Sequence, residues 1–196
     1  MENIKVVFEM EDRAVFNFER PIHLDGLLVW AMGDKVGKEI ELPLAKWKVV
    51  SHSEWGWCAS ALFPMFLVGG LYKQFRDGIK SSVDSVNSFG INNFYVVLYC
   101  RELVGYARGD IDKVKSYLSR VRFLGSENNR RKVKAIHVEK IDTNNSVVMG
   151  DISMRYLPDR LGKKWIRARP PYWGLGGRIL CCDIGDVYGE EIVIDG

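Results

Sequence analysis

Short apolar runs separated by charged punctuation make up most of this chain, and most of them favour strands. Ile4 to Phe8 is strand-like, and Ala14 to Phe18 is placed to pair with it as a hairpin that Pro21 ends. Leu24 to Met32 reads as a short apolar helix. Asp25 sits favourably in its first turn, and Gly33 and Gly37 terminate it. Leu42-Pro43-Leu44 is held extended by its proline. Val49 to Leu62 reads as a strand with Trp55, Trp57, Ala59 and Ala61 on one face and His52, Glu54, Cys58, Ser60 and Leu62 on the other. Phe66 to Gly90 is punctuated by glycine and reads as either an ordered hairpin insertion or a flexible thumb. Phe94 to Cys100, FYVVLYC, is a buried strand.

Asp110 is a good N-cap for a helix running to about Phe123. Val114, Tyr117, Leu118 and Val121 share its apolar face, and Lys113, Lys115, Arg120 and Arg122 fall elsewhere on it. Gly125 then turns the backbone after this helix. Lys132 to Glu139, Val147 to Tyr156, Ile179 to Cys182 and Glu191 to Ile194 read as further strands. The order is β-rich, with two helices that each lie between strands. It predicts an α+β fold of ferredoxin-like (RRM-like) type, one domain over residues 1–196 with an insertion at about 64–92.

Charge changes this picture because it is unevenly placed. The formal net charge is only +3. Between Lys113 and Lys140 there are nine Lys or Arg against two acids, Glu127 and Glu139. Arg155 to Arg178 holds seven bases against Asp159 alone, while Asp183 to Asp195 holds five acids and no base. Such focusing suits a phosphate backbone, and it equally suits a surface of internal ion pairs. The four cysteines, Cys58, Cys100, Cys181 and Cys182, form no C-x-x-C pair and read as reduced thiols of a cytosolic protein. The start is too charged for a signal peptide, and no apolar run approaches the roughly 20 residues that span a bilayer, so no membrane is expected as a partner. Three scattered histidines and unclustered cysteines match no metal-ligand spacing, so neither a metal nor another cofactor is expected.

Two segments carry candidate binding chemistry. In the basic loop after Gly125, Asn128 and Asn129 can hydrogen-bond to phosphates or bases, and Arg130, Arg131, Lys132 and Lys134 supply charge. In the run KKWIRARPPYWGLGGR, Pro170-Pro171 presents Tyr172 and Trp173 among Lys163, Lys164, Arg167, Arg169 and Arg178. Aromatic rings among cations are the ingredients of single-strand recognition, although Trp173 is equally suited to a core. His23 and Asp25 stand two apart and do not face each other on a helix, so they fix the helix start rather than form a dyad. His52 and His137 are the remaining candidates for proton transfer in an RNA cleavage.

Three motifs taken in order carry a resemblance: Pro21-Ile-His-Leu-Asp-Gly-Leu-Leu, the glycine and basic loop from Leu124-Gly125 to Val138, and Arg169-Pro-Pro-Tyr-Trp173. This order resembles the RAMP superfamily of CRISPR-associated proteins, most closely the small five-type Cas subunit of type IV effector complexes. The resemblance implies an RRM-like core and a non-catalytic subunit of an antiviral ribonucleoprotein in the cytoplasm. Such a subunit would hold the 5′ handle of the CRISPR RNA, cap the filament of backbone subunits, and contact the large subunit and target DNA. Arg120, Arg122, Arg130, Arg131, Lys132 and Lys134 would then clamp phosphates. Tyr172 and Trp173 would stack on bases or wedge against a neighbouring subunit, and Leu24–Trp30 would build the core. The family's loop commonly carries several glycines; here Arg130-Arg131-Lys132 stand where more glycine is expected. Because related subunits cleave repeat RNA themselves, a metal-independent endoribonuclease is the alternative, with His23 or His137 as the base.

Overall fold

The computed structural model describes residues 1–17, 21–33, 41–75, 93–125, 130–168, 170, 172 and 177–195. Strand β1, Glu2–Asn17, is the centre of the molecule. Along it Ile4, Val6, Phe8 and Met10 are buried, while Asn3, Lys5, Val7 and Glu9 take the opposite face. This period of two makes one face of a sheet apolar and demands a covering layer. Strand β5, Asn93–Gly109, pairs with one edge of β1, and β7, Arg131–Ile141, with the other. Outside them lie β4, Phe63–Phe75, and the two-residue β6, Phe123–Leu124. The five-stranded sheet, ordered β4-β5-β1-β7-β6, is antiparallel throughout and curls into a half-barrel.

Two short helices cover the apolar face. Helix α1, Leu24–Met32, starts where the sequence places it. His23 is extended at the N-cap, and the Asp25 carboxylate accepts from the Gly26 N–H at 2.8 Å. Gly33 closes α1 at φ 72°, a left-handed conformation that glycine adopts at little cost. Gly105 of β5 lies beneath the helix entry; a Cβ there would meet a terminal methyl of Leu62 at 2.6 Å, so a larger residue would require that side chain to shift. Helix α2, Ile111–Leu118, is capped by Asp110, whose carboxylate accepts from the N–H groups of Asp112 and Lys113 at 3.2 and 3.1 Å. Leu24 and Leu28 of α1 and Val114 and Leu118 of α2 share one core with Ile4, Val6, Phe8 and Leu103.

Residues 45–58 together with the C-terminal part add small sheets and a second core. Strands β2 (Lys46–Val49), β3 (Trp55–Trp57) and β12 (Ile192–Asp195) form a three-stranded sheet in the order β12-β2-β3. Two-stranded sheets pair β8 (Val148–Met149) with β9 (Ile152–Ser153) and β10 (Lys164–Ile166) with β11 (Ile179–Cys181). Trp47 is fully buried in this second core and donates its indole N–H to the Trp57 carbonyl at 3.0 Å.

Several expectations are corrected. The chain is not an α+β ferredoxin-like fold. It is mostly strand, with only two helices among the described residues, and its architecture is the curled antiparallel sheet with its satellites. Each helix does lie between strands, but eight or nine residues of helix do not make a layer equal to the sheet. Residues 4–17 do not form the hairpin expected over Ile4 to Phe18: β1 is one strand with a register shift between Glu9 and Ala14, and Phe18 lies outside the described residues. Met10-Glu-Asp-Arg13 lacks the Gly or Asn that a tight hairpin needs, and β5 and β7 hold the strand from both sides. The strand expected over Val49 to Leu62 is broken by a turn: Val49 ends β2, and Trp55–Trp57 forms β3. Helix α2 stops at Leu118 rather than near Phe123, because Phe123 and Leu124 pair with Lys132 and Arg131. Gly125 therefore belongs to a β-hairpin and not to a helix end; its φ of 105° shows why glycine stands there. Of the proposed insertion at 64–92, the first part continues β4, in register with β5 up to Phe75 and Asn93, and 76–92 lies outside the described residues.

Candidate nucleic-acid interface

The N-cap of α1 is the origin of a buried polar cluster. Asp25, one residue into the helix, is fully buried, and so is Arg155 from the segment after β9. The Arg155 guanidinium donates to an Asp25 carboxylate oxygen at 3.3 Å and to the Ala59 carbonyl at 2.8 Å; it also donates to the carbonyls of Trp57 and Ala168. The Tyr172 hydroxyl lies 3.0 Å from Arg155 and 2.8 Å from both Asp25 oxygens. Five acceptors surround the two terminal nitrogens of the guanidinium, while its buried Nε has no partner among the described residues. Burial pushes Tyr172 well above the usual phenol range, so it keeps its proton and donates to Asp25. Burial likewise raises the Asp25 carboxyl, while Arg155, Tyr172 and the Gly26 N–H pull it back.

His23 completes the cluster without a hydrogen bond. Both ring nitrogens are buried and lack a partner among the described residues. Its ring stacks on Tyr172 with centroids 4.3 Å apart. Burial, and secondarily the Arg155 charge, push its pKa well below the ordinary value, so the imidazole is neutral. The His23–Asp25 reading as a helix-start device is met only for Asp25, because the His23 side chain makes no cap bond.

Above this cluster opens a cavity of about 290 Å³, lined by Pro21, Ile22, His23, Gly26, Leu27, Trp30, Phe123, Gly125, Arg130 and Tyr172. It lies between α1 and the β6–β7 hairpin. Three motifs far apart in the sequence meet in it: Pro21–Leu27, Gly125 with Arg130, and Tyr172. Two large rings stand at it exposed, Trp30 at 55% and Phe123 at 47%. Trp30 was expected in the core, and the helix phase explains the difference: Leu24, Leu28 and Ala31 turn inward and leave Trp30 outward. That phase was the signal available for Trp30. The pattern places Phe123 at a helix end, and nothing in the sequence separates it from its buried neighbour Leu124.

The cations divide into two groups. Lys132 pairs with Glu11 at 2.7 Å, Lys134 with Glu9 at 2.5 Å, Lys140 with Glu2 at 3.1 Å and Lys113 with Asp110 at 3.4 Å. Arg120, Arg122, Arg130 and Arg131 are exposed, and no carboxylate among the described residues pairs with them. Arg120 reaches across to the Ala31 carbonyl at the end of α1, at 3.2 Å. Arg122 accepts the Val133 N–H at its carbonyl, beside the hairpin. The four arginines thus carry charge without a carboxylate partner among the described residues, and of them Arg130 lines the cavity.

The second basic run is less available. Lys163 pairs with Asp186 at 3.7 Å and Lys164 with Asp183 at 2.8 Å, so the acidic C-terminal stretch neutralises part of it. Arg167 is half-buried and Arg178 exposed. Tyr172 is not a free stacking ring, since its hydroxyl is engaged with Asp25 and its face with His23. Asn128, Asn129, Arg169 and Trp173 lie outside the described residues. His137 is exposed beside Glu9 at 3.8 Å. All four cysteines are buried and unpaired, and burial holds the Cys58 thiol up at about 11. No described helix is long and apolar enough to cross a membrane, and no group of three or more His, Cys, Asp or Glu among the described residues could hold a metal.

No protein-family model matches this chain, and no curated protein matches it.

Proposed function

We propose that this chain is a non-catalytic RNA-binding subunit of a type IV CRISPR ribonucleoprotein, and that it grips the 5′ handle of the CRISPR RNA at the cavity between α1 and the β6–β7 hairpin. One observation supports the reading most. The three motifs that carry the resemblance converge on a single cavity, with Arg130, which has no carboxylate partner among the described residues, in its wall. Arginine's flat, always-charged fork suits phosphate better than lysine's point charge. Backbone and large subunits of the complex, and target DNA, are the further partners in this reading, and the cytoplasm is its compartment.

Arg120, Arg122, Arg130 and Arg131 supply most of the charge, and Lys132 and Lys134 less, because binding must first compete with Glu11 and Glu9. Four neutralised phosphates give a log–log salt slope of about −3 for a single strand. The test is handle-RNA affinity across a salt series, with all four arginines changed to alanine. Unchanged affinity and slope in that variant would refute the assignment. Incubating the protein with repeat RNA in EDTA addresses the enzymatic alternative. The RNA is expected to stay intact; cleavage that His23→Ala or His137→Ala abolishes would replace this reading with the nuclease.

A further inference from the structure

We propose that Trp30 and Phe123 form a stacking clamp for one unstacked nucleobase, which enters the cavity over the His23–Tyr172 floor while Arg130 holds the adjoining phosphate. The proposal rests on the RNA-binding reading above and names what that cavity takes.

Single exposed apolar side chains are ordinary, but here an exposed tryptophan and an exposed phenylalanine border the same concavity, and such a shared apolar surface marks interaction sites. The cavity, at about 290 Å³, is near the lower end of the roughly 300–1,000 Å³ range of small-molecule clefts. One flat ring system fits that scale. The chemistry of the walls matches a nucleotide in parts. Ile22, Leu27 and the two aromatic rings supply apolar contact, and Arg130 supplies charge. Gly125 puts no side chain in the way of a backbone lying against the hairpin.

The floor decides what kind of recognition is possible. The nitrogens of His23 are covered, and the Tyr172 hydroxyl is committed to Asp25 and Arg155. The base would therefore meet ring faces and aliphatic carbons rather than directed donors and acceptors. Such a pocket prefers a flat ring without reading which base it is. Purines should bind more tightly than pyrimidines through their larger stacking area.

The experiment uses the full chain, a single-stranded oligoadenylate and free AMP, with affinity measured across salt. Trp30→Ala and Phe123→Ala, both at exposed positions, should each weaken oligoadenylate about tenfold while leaving the salt slope unchanged. Trp30→Tyr should restore most of the loss. An abasic residue scanned along the oligonucleotide should weaken the wild type at one position and leave Trp30→Ala indifferent. Melting temperatures of the variants should match the wild type. If both alanine variants bind oligoadenylate like the wild type while the arginine variant loses it, the clamp is wrong and the RNA-binding reading stands. If AMP binds as tightly as the oligonucleotide and with no added salt dependence, the cavity is a free-nucleotide site and the RNA reading fails instead.

Discussion

Two ion-pair systems in this molecule use the same chemistry to opposite ends. Arg155 and Asp25 are wholly buried and share one network with Tyr172 and three backbone carbonyls. Lys134 and Glu9, with Lys132 and Glu11 beside them, lie on the outer surface of the sheet. Desolvated charge needs acceptors close around it, so the buried pair ties α1, the carbonyls of Trp57, Ala59 and Ala168, and the Tyr172 hydroxyl into one arrangement. The exposed pairs are screened by water and hold little in position. They decide instead how much positive charge the hairpin offers a ligand.

The largest effect should come from breaking the buried pair. Asp25→Ala leaves Arg155 charged in a dry site and should lower unfolding stability by about 3–5 kcal/mol in a denaturant titration. A melt indistinguishable from wild type would mean that the guanidinium does not need this carboxylate.

His23 sharpens the same contrast through pH. Its folded pKa is depressed, whereas the unfolded chain takes up a proton near pH 6.5. The contribution is present above that pH and is lost as the pH falls below it, by up to about 1.4 kcal/mol per unit. His23→Phe should flatten the stability profile between pH 7 and 5 relative to wild type; parallel profiles would count against a neutral buried imidazole.

On the exposed side, Arg130→Ala with Arg131→Ala should reduce the magnitude of the RNA salt slope by about 1.4, at roughly 0.7 per phosphate contact. The smallest effect is also the most discriminating. Glu9→Gln with Glu11→Gln should leave the melting temperature unchanged yet tighten RNA binding and steepen its salt dependence, because Lys134 and Lys132 are released. Weaker binding in that variant would show that the lysines face away from the ligand.

Local signals were legible where the physics is local. The helix at Leu24–Met32, its Gly33 terminus and the Asp110 cap depend on residues a few positions apart, and the structure places them as the pattern predicts. Signals failed where a distant partner competes. The α2 pattern continues apolar through Val121, but cross-strand pairing with Arg131 and Lys132 claims Phe123 and Leu124 for the sheet. Trp30 lies in an apolar run that reads as core, although the helical phase of Leu24, Leu28 and Ala31 already sets that ring on the other face. Arg155 looked like one more base in a basic run; nothing near it in sequence announces its partner 130 residues away.

The sequence by itself determined that this chain is strand-rich, carries two short capped helices, and concentrates positive charge around residues 113–140. Those properties follow from periodicity, caps and composition, which act over a few residues. Only the tertiary structure decided that β1 and its neighbours curl into one antiparallel sheet, that Lys132 and Lys134 are paired while Arg130 and Arg131 have no carboxylate partner among the described residues, and that Pro21–Leu27, Arg130 and Tyr172 share a cavity. Register and burial set those outcomes, and both depend on which distant residues come to lie opposite one another.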